Sequence, residues 1–388
     1  MKNKIVRITT IPLSLRTLLK GQFEYMSSYF QVLCVSSPGE ELLDVSKEEN
    51  VEIFPIKMSR KITPVSDLIA LIRLFFLLRK IKPLIVHSHT PKAGIIGMLA
   101  SKLANVPIRL HTVAGLPLME AHGAKRKVLN FVEKLTYQCA TRVYPNSKGL
   151  EEFIVSNNFV KKNKIKVIGN GSSNGINTSY FSSLELNKEE LQNLKESLNL
   201  KDDDFIFVFV GRLVGDKGIN ELIKAFSELH TKNPSKGIKL LLVGSQEAEL
   251  DPLKEETLEI INTNPNIISV GFQKDVRPYY AISSALVFPS YREGFPNVVM
   301  QAGSMDLPSI VSDINGCNEI IIEGENGIIV PVKDEISLYH SMEKLITDPY
   351  YYSCLKRNSR RLIVERYEQK VIWGDILSEY QSLIRACQ

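Results

Sequence analysis

One pattern limits what this chain can fold into more than any other: short apolar runs alternate with helical segments through both of its halves. In the first half Ile5–Ile11, Val32–Ser36, Val51–Ile56, Leu84–His87, Ile108–Val113, Arg142–Pro145 and Ile165–Ile168 read as strands. Leu15–Tyr29, Ser66–Ile81, Ala93–Leu103, Lys127–Thr141 and Lys148–Asn157 read as the intervening helices, with Ser66 as an N-cap. A parallel strand covered by helices on both faces is apolar along its whole length, so this rhythm predicts βαβ units and a parallel sheet.

The alternation breaks at residues 169–201. GNGSSNGIN is rich in turn formers, and the charged segment Asn187–Leu200 reads as a helix. It then resumes. Phe205–Val210, Leu240–Val243, Ile267–Val270, Ala285–Phe288, Ser309–Ser312 and Gly327–Pro331 read as strands. Ile219–His230, Glu249–Asn262, Val276–Ser283, Asn297–Met305, Glu335–Ile346, Tyr351–Arg366 and Val371–Arg385 read as helices. A chain of 388 residues exceeds what one core usually serves, so two domains are expected, 1–184 and 185–370, followed by a terminal helix at 371–388.

Charge divides at the same place. Residues 1–184 hold 26 Lys+Arg against 12 Asp+Glu, a net of +14; residues 185–388 hold 22 against 31, a net of −9. The first half therefore favours an anionic partner: an acidic membrane surface, or nucleic acid. It lacks the interleaved aromatics of a single-strand binder, so no nucleic acid is expected. Its basic clusters are Lys57/Arg60/Lys61, Arg79/Lys80/Lys82, Lys125/Arg126/Lys127 and Lys161/Lys162/Lys164/Lys166. The run Leu68–Leu78 is too short to span a bilayer, carries Arg73, and reads as a buried amphipathic helix. The first residues, MKNKIVRITTIPLSL, alternate like a strand and lack a small-residue cleavage site, so they are not read as a signal peptide. The five scattered cysteines give neither a disulfide framework nor a zinc site, and point to a reducing compartment.

Two segments carry chemistry. Gly211-Arg-Leu-Val-Gly-Asp-Lys-Gly218 follows a strand and opens a helix. Its glycines permit close backbone approach, the helix start favours an anion, and Arg212 and Lys217 add two cations, so a diphosphate site is expected there. It is not a Walker A loop, and no G-x-G-x-x-G follows the first strand, which argues against a nicotinamide enzyme. The second segment is Tyr291–Asn318. Glu293 stands in the turn between a strand and the helix from Asn297, where a carboxylate can accept bonds from sugar hydroxyls and stabilise developing positive charge. Gly294 and the amides near Asn297 and Val298 can add phosphate contacts, and Gln301 lies eight residues after Glu293. The histidines show no metal spacing beyond the pair His87/His89.

The Glu293–Gln301 spacing resembles the E-x7-E motif of family 4 glycosyltransferases. Gly211–Gly218, the Glu293-Gly-Phe-Pro296 turn, Gly316-Cys-Asn-Glu-Ile320 and Glu323-Gly-Glu-Asn-Gly327 are similar to that family too. Val86-His-Ser-His-Thr90, His111-Thr-Val-Ala-Gly115, Tyr144-Pro-Asn-Ser147 and Ile168-Gly-Asn-Gly171 in the first half resemble bacterial enzymes that extend polyprenyl-diphosphate-linked sugars, N-acetylgalactosaminyl transferases among them.

The resemblance implies the GT-B arrangement, an α/β fold of two Rossmann-like, doubly wound domains facing a central cleft. It implies a retaining transferase that takes a sugar, of N-acetylhexosamine type, from a UDP-sugar and passes it to a lipid-linked saccharide. No cofactor and no metal are implied, and the enzyme would sit on the inner face of the cytoplasmic membrane. By that resemblance Arg212 and Lys217 neutralise the leaving diphosphate and Glu293 holds the donor sugar. Gly294, Phe295, Asn297 and Val298 supply further donor contacts. Gln301 stands where the family's second acidic residue binds ribose; its amide can bond a diol, but without charge. His111, at a strand end, matches the family's histidine near the donor sugar, and Ser14 and Arg16 fall on the acceptor side. A sugar-nucleotide 2-epimerase of the same fold, or a non-enzymatic nucleotide-sugar or nucleic-acid binder, are the alternatives.

Overall fold

Both sheets form with every strand parallel. In the computed structural model, which describes residues 2–116, 118, 121–234, 236–247 and 251–387, β1 (Lys4–Ile8) leads through α1 (Pro12–Leu18) and α2 (Gln22–Ser27) to β2 (Gln31–Ser36), and through α3 (Glu40–Glu48) to β3 (Glu52–Pro55). Then follow α4 (Pro64–Ile81), β4 (Ile85–Ser88), α5 (Pro91–Leu103), β5 (Ile108–Val113), α6 (Gly123–Cys139), β6 (Arg142–Pro145) and α7 (Lys148–Ser156). The strand order is β3-β2-β1-β4-β5-β6.

After α8 (Lys188–Ser197) come β7 (Phe205–Val210), α9 (Ile219–Lys232), β8 (Ile238–Val243), α10 (Glu255–Thr263), β9 (Ile267–Gly271), α11 (Arg277–Ala281) and β10 (Ala285–Phe288). The chain continues through α12 (Asn297–Ser304), β11 (Ser309–Ser312), α13 (Cys317–Ile320), β12 (Gly327–Val330), α14 (Glu335–Thr347), α15 (Pro349–Tyr367) and α16 (Gln369–Cys387). This second sheet runs β12-β11-β10-β7-β8-β9. Each sheet is doubly wound: the chain starts in the middle, fills one side, then returns to fill the other, so strand order reverses between β1 and β4 and between β7 and β10.

The chain divides into unit 1, Met1–Gly175 with Lys370–Gln388, and unit 2, Ile176–Gln369. The division falls at Gly175/Ile176, ahead of the 184/185 boundary expected from composition. Residues 176–184 belong to unit 2 because polar groups tie them there. Ile176 forms a parallel bridge with Glu368. The Glu368 carboxylate accepts the Thr178 amide at 3.1 Å and its hydroxyl. Arg360 donates to the carbonyls of Thr178 at 2.8 Å and Phe181 at 2.9 Å. Gly169, Gly171, Ser172 and Gly175 all adopt positive φ, which makes the linker a series of tight turns.

Several local expectations need correction. The helix expected over Leu15–Tyr29 is two helices. Gly21 separates them at φ +77, and a Cβ there would come within 2.8 Å of the Trp373 ring. β1 stops at Ile8: the Thr9 hydroxyl donates to the Ile11 carbonyl at 3.0 Å, and the Thr10 hydroxyl bonds the Thr90 hydroxyl at 2.7 Å. Ser66 does not cap α4, which begins at Pro64 after Thr63. Ile165–Ile168 contributes only an isolated bridge, Val143 to Ile165. The helix expected over 249–262 begins at Glu255, and Glu249 and Leu250 lie outside the described residues. The Leu68–Leu78 run is helical, but only one stripe of it is buried: Ala70, Leu74 and Leu78 face the core while Leu68, Ile69, Ile72 and Phe76 are exposed.

Unit 1 closes on α16. Ile372, Ile376, Leu377 and Tyr380 pack in the core formed by β1, α1, α2 and α3. Trp373 donates its ring N–H to Asn174 Oδ1 at 2.7 Å, and Tyr144 donates its hydroxyl to Glu379 at 3.0 Å. The fully buried Arg7 donates to the Tyr380 hydroxyl at 2.7 Å and to the Gln22 amide oxygen. Tyr380 also shares a hydrogen bond with His87 Nδ1. Among the described residues no carboxylate pairs with this guanidinium, so its charge is spread over such neutral acceptors.

Tyr380→Phe leaves Arg7 and His87 one bond short in a dry interior, so it should destabilise unit 1 by about 1–3 kcal/mol. The chain has a single tryptophan, and it sits on α16, so Trp373 fluorescence during urea unfolding reads this directly. An unchanged midpoint would reject the network as a stabilising element.

Candidate functional site

β7 and β10 are parallel neighbours where the order of the second sheet reverses, which is where an open α/β sheet leaves a crevice at its carboxyl edge. The turn after β7 is fixed by close backbone packing. Gly211 and Gly244 are pressed together: a Cβ on Gly244 would fall 1.8 Å from the Gly211 carbonyl oxygen. Residues Gly215–Lys217 form one 3-10 turn, held by Asp251, whose carbonyl accepts from the Gly215 amide at 3.1 Å and whose carboxylate accepts from the Asp216 amide at 2.6 Å. Gly218 then turns the chain into α9 at φ +72, where a Cβ would meet the Pro289 carbonyl oxygen at 2.1 Å. Only glycine satisfies both the conformation and the contact.

This contact brings together two residues that lie far apart in sequence. Lys217 Nζ pairs with Glu293 Oε1, and the two side chains are 15% and 19% exposed. Ser290 donates its hydroxyl to the same carboxylate oxygen at 3.2 Å. Asn315, after β11, donates its amide to the Gly294 carbonyl at 2.7 Å and the Glu293 carbonyl at 3.3 Å, which holds the turn from below. Gly316, at φ +79, fits against Gly294, Phe295 and Pro296. The loops after three neighbouring strands, β7, β10 and β11, therefore meet at the Glu293 turn.

Around it, Arg212 pairs with Glu247 at 3.1 Å and remains half exposed, and Arg292 pairs with Asp216 at 2.8 Å. α12 starts at Asn297 with no side chain capping it. The first N–H groups of a helix have no intrahelical partner, so this end presents backbone donors and a partial positive charge. Phe295 turns inward, its ring 5.5 Å from that of Tyr367, so its side chain anchors the turn. Gln301 is half-buried, and its amide oxygen accepts from the Tyr280 hydroxyl at 3.3 Å. Cys317 is buried near the Lys217–Glu293 pair; burial holds its thiol well above the usual range, so it is not a ready thiolate.

Unit 2 thus brings Arg212, Lys217, Glu293, Gly294, Asn297, Val298 and Gln301 to one edge of one sheet. Ser14, Arg16 and His111 belong to unit 1. Ser14 is buried on α1, and Arg16 is exposed and paired with Glu48 at 2.9 Å. His111 is not at a strand end: β5 runs two residues beyond it, and the ring is buried. Its Nδ1 bonds the Ser88 hydroxyl at 2.8 Å, and a Cβ on Gly94 of α5 would touch the ring at 2.5 Å. Burial lowers its pKa from 6.5 to about 4, so it is a neutral imidazole near neutral pH.

Unit 1 has a polar recess of its own. A cavity of about 20 Å³, room for a water-sized group, is lined by His87, His89, Thr112, Tyr144, Asn146 and Ser173 among others. Neither ring nitrogen of His89, nor Asn146 Oδ1, nor Ser173 Oγ has a hydrogen-bond partner among the described residues. Burial holds the His89 pKa well below its usual value. Among the described residues no group of three His, Cys, Asp or Glu side chains could hold a metal ion.

The sequence reading singled out Arg212, Lys217 and Glu293 but missed Ser290 and Asn315. Both are small polar residues, two and three positions past a buried strand, and a polar residue just before a glycine in such a turn (Asn315–Gly316) was the available signal.

Two outcomes follow from this geometry. Gly218→Ala adds a Cβ against the Pro289 carbonyl at positive φ, so the turn must move and Lys217 with it. The unfolding midpoint of unit 2 in urea, followed by circular dichroism, should fall by the equivalent of about 1–3 kcal/mol, and a wild-type midpoint would reject the contact as that close. The second concerns pH. Between about pH 6.5 and 4 the unfolded chain binds a proton at residue 111 that the folded chain refuses, so stability falls as pH falls through that window. The slope for one such group is up to about 1.4 kcal/mol per pH unit. Glu133, which burial raises to about 7, acts with the opposite sign over the same range but is common to both proteins compared. His111→Gln should therefore flatten the pH dependence of unfolding between pH 4.5 and 6; an unaltered slope would show that His111 takes up its proton in the folded state.

Comparison with known proteins fits this geometry. The family model "Glycosyl transferases group 1" matches residues 191–362, and "Glycosyl transferase 4-like domain" matches residues 26–171. The capsular polysaccharide biosynthesis glycosyltransferase CapM of Staphylococcus aureus is 35% identical over 387 residues, covering 99% of each chain. The N,N'-diacetylbacillosaminyl-diphospho-undecaprenol alpha-1,3-N-acetylgalactosaminyltransferase of Campylobacter jejuni is 26% identical, covering 90% of each. Among solved structures, Anabaena HepE in complex with UDP superposes with a TM-score of 0.81 at 17% identity, covering 98% of this chain and 100% of that one. The two six-stranded parallel sheets and this superposition give the chain the GT-B fold. With a relative this similar over its whole length, and both halves matched, the chain belongs to the group 1 glycosyl transferases and is a glycosyltransferase.

Proposed function

We propose that this enzyme moves a sugar of N-acetylhexosamine type from a UDP-sugar to a polyprenyl-diphosphate-linked saccharide, with retention of anomeric configuration, in the assembly of a capsular or other surface glycan. The observation that carries the reading is the Lys217–Glu293 pair at the carboxyl ends of β7 and β10, with Arg212 on the same turn. With donor bound, Lys217 and Arg212 exchange their carboxylate partners for the diphosphate, and Glu293 is released to accept hydrogen bonds from sugar hydroxyls. The uncapped start of α12, with Gly294, Asn297 and Val298, adds backbone donors to the same anion. Gln301 contacts the ribose. The names of the Staphylococcus and Campylobacter relatives support the pathway, the lipid-linked acceptor and the sugar type, and the UDP complex of HepE supports the nucleotide.

In the transfer step the bond from the sugar's C1 to the diphosphate oxygen breaks, with its electron pair going to that oxygen. The acceptor hydroxyl oxygen bonds C1 from the same face, and its proton passes to the departing phosphate oxygen. Arg212 and Lys217 stabilise the charge that develops there, so no metal ion is needed for it. The basic unit 1, with 28 Lys+Arg against 14 Asp+Glu, faces an anionic membrane, and the enzyme works peripherally on the inner face of the cytoplasmic membrane. Among the described residues no helix is long and apolar enough to cross a membrane.

Nucleotide release from UDP-sugars with polyprenyl-diphosphate acceptors tests the reading. Wild type should release UDP in an acceptor-dependent way, with turnover unaffected by EDTA and a product whose anomeric coupling by NMR matches the donor. Glu293→Gln should lower kcat by on the order of 10²-fold with the fold intact. Gln301→Ala should act mainly on KM for the donor. No acceptor-dependent release with any donor, or wild-type kcat in Glu293→Gln, would reject the assignment.

A further inference from the structure

The outer surface of α4 is apolar where a helix of a water-exposed layer is usually polar. Val65, Leu68, Ile69, Ile72 and Phe76 recur at helical spacing on one face and are all exposed, Val65 at 76% and Phe76 at 66%. The opposite face, Ala70, Leu74 and Leu78, is buried in the unit 1 core. The exposed stripe is thus a second apolar face on a helix that already has its buried one. The remaining exposed side chains of that face are Arg73, Arg79 and Lys80.

The pattern repeats across the layer. α4 packs on α5 and α5 on α6, and all three cover the same core. α6 exposes Val128 and Phe131, the latter at 67%, beside Lys125, Lys127 and Lys134. Over these three helices there are nine basic side chains and only two acidic ones, Asp67 and Glu133. Neither acid is exposed: Asp67 is half-buried and paired with Lys92, and Glu133 is buried. A surface for water would intersperse both signs, and a protein partner's interface is depleted in lysine, which here recurs on all three helices. Apolar side chains flanked only by cations match one environment, the boundary between acyl chains and acidic headgroups.

We propose that the α4–α6 layer of unit 1 is a membrane-docking face. Leu68, Ile72 and Phe76 enter the acyl boundary of an anionic bilayer, and Arg73, Arg79, Lys80 and the α6 lysines lie against headgroup phosphates. This rests on the membrane-linked acceptor proposed above and adds to it the face and its mode: insertion centred on α4, with the Lys125/Arg126/Lys127 cluster as an electrostatic flank. The apolar part distinguishes it from adsorption by charge alone, which salt removes.

The test is co-sedimentation of the full chain with phosphatidylglycerol-containing and purely phosphatidylcholine vesicles, at low and high salt. Wild type should bind the anionic vesicles at least tenfold more tightly than the neutral ones, and keep measurable binding at 0.5 M salt. The triple variant Leu68→Gln/Ile72→Gln/Phe76→Gln changes only exposed side chains, and Trp373 fluorescence reports whether unit 1 remains folded. It should lose the salt-resistant binding and retain wild-type turnover with a short-chain, water-soluble acceptor. Wild type that ignores anionic vesicles, or a folded triple variant that binds as tightly as wild type, overturns the proposal. So does a concentration-dependent mass that falls to monomer in the variant without any change in vesicle binding, since the face would then be a contact between copies. Failure of the transferase reading itself shows separately, as absent turnover of the wild type with the water-soluble acceptor.

Discussion

The turn after β7 rests against the turn after β10 through a contact only glycine permits, Gly218 on the Pro289 carbonyl. Parallel pairing of β7 with β10 sets the two turns side by side, and the absence of a side chain lets them touch. From that contact follow the Lys217–Glu293 pair, the second hydrogen bond to Glu293 from Ser290, and the seat that Asn315 and Gly316 provide beneath the turn. A lysine and a glutamate held together in a partly buried site are each other's partner; in the transfer proposed above the cation exchanges that partner for a diphosphate and the carboxylate exchanges it for hydroxyls.

Unit 1 is organised around a different device. Its buried polar groups form a chain, Gln22–Arg7–Tyr380–His87–Thr112, that joins the first strand to the last helix through short side-chain bonds. His87, a member of that chain, and His89 and His111 near it are held neutral by burial. His111 in particular is gripped by Ser88 and Gly94, which makes it an oriented neutral group within the sheet. The outer layer of the same unit has the opposite character, with apolar and cationic side chains directed outward from α4 and α6. One unit thus pairs an interior of neutral histidines around one buried arginine with a cationic, greasy exterior.

Much of this was legible from residues alone. Parallel strands buried on both faces must be apolar throughout, so β7 (FIFVFV) and β8 (IKLLLV) announce themselves. A glycine-flanked turn bearing Arg212 and Lys217 at a strand end announces an anion site for equally local reasons. Where the reading failed, a distant residue had decided the matter. Gly21 breaks Leu15–Tyr29 because Trp373 occupies the space beside it. Residues 176–184 join unit 2 because Glu368 and Arg360 bind them there. The Leu68–Leu78 run reads as buried because hydrophobicity and spacing show how apolar a helix is, whereas which side is covered depends on its neighbours.

The sequence by itself determined the doubly wound architecture, the charge asymmetry between the halves and the identity of the chemically capable groups, because periodicity, net charge and side-chain chemistry are local or additive properties. Only the tertiary structure decided that Lys217 meets Glu293, that Asn315 and Ser290 support the same turn, that His111 lies mid-strand under α5, and that α4 turns an apolar stripe outward. Each of those is a matter of which residues share a neighbourhood across long stretches of chain. Strand order and glycine-mediated contacts fix that, and neither can be read from spacing along the sequence.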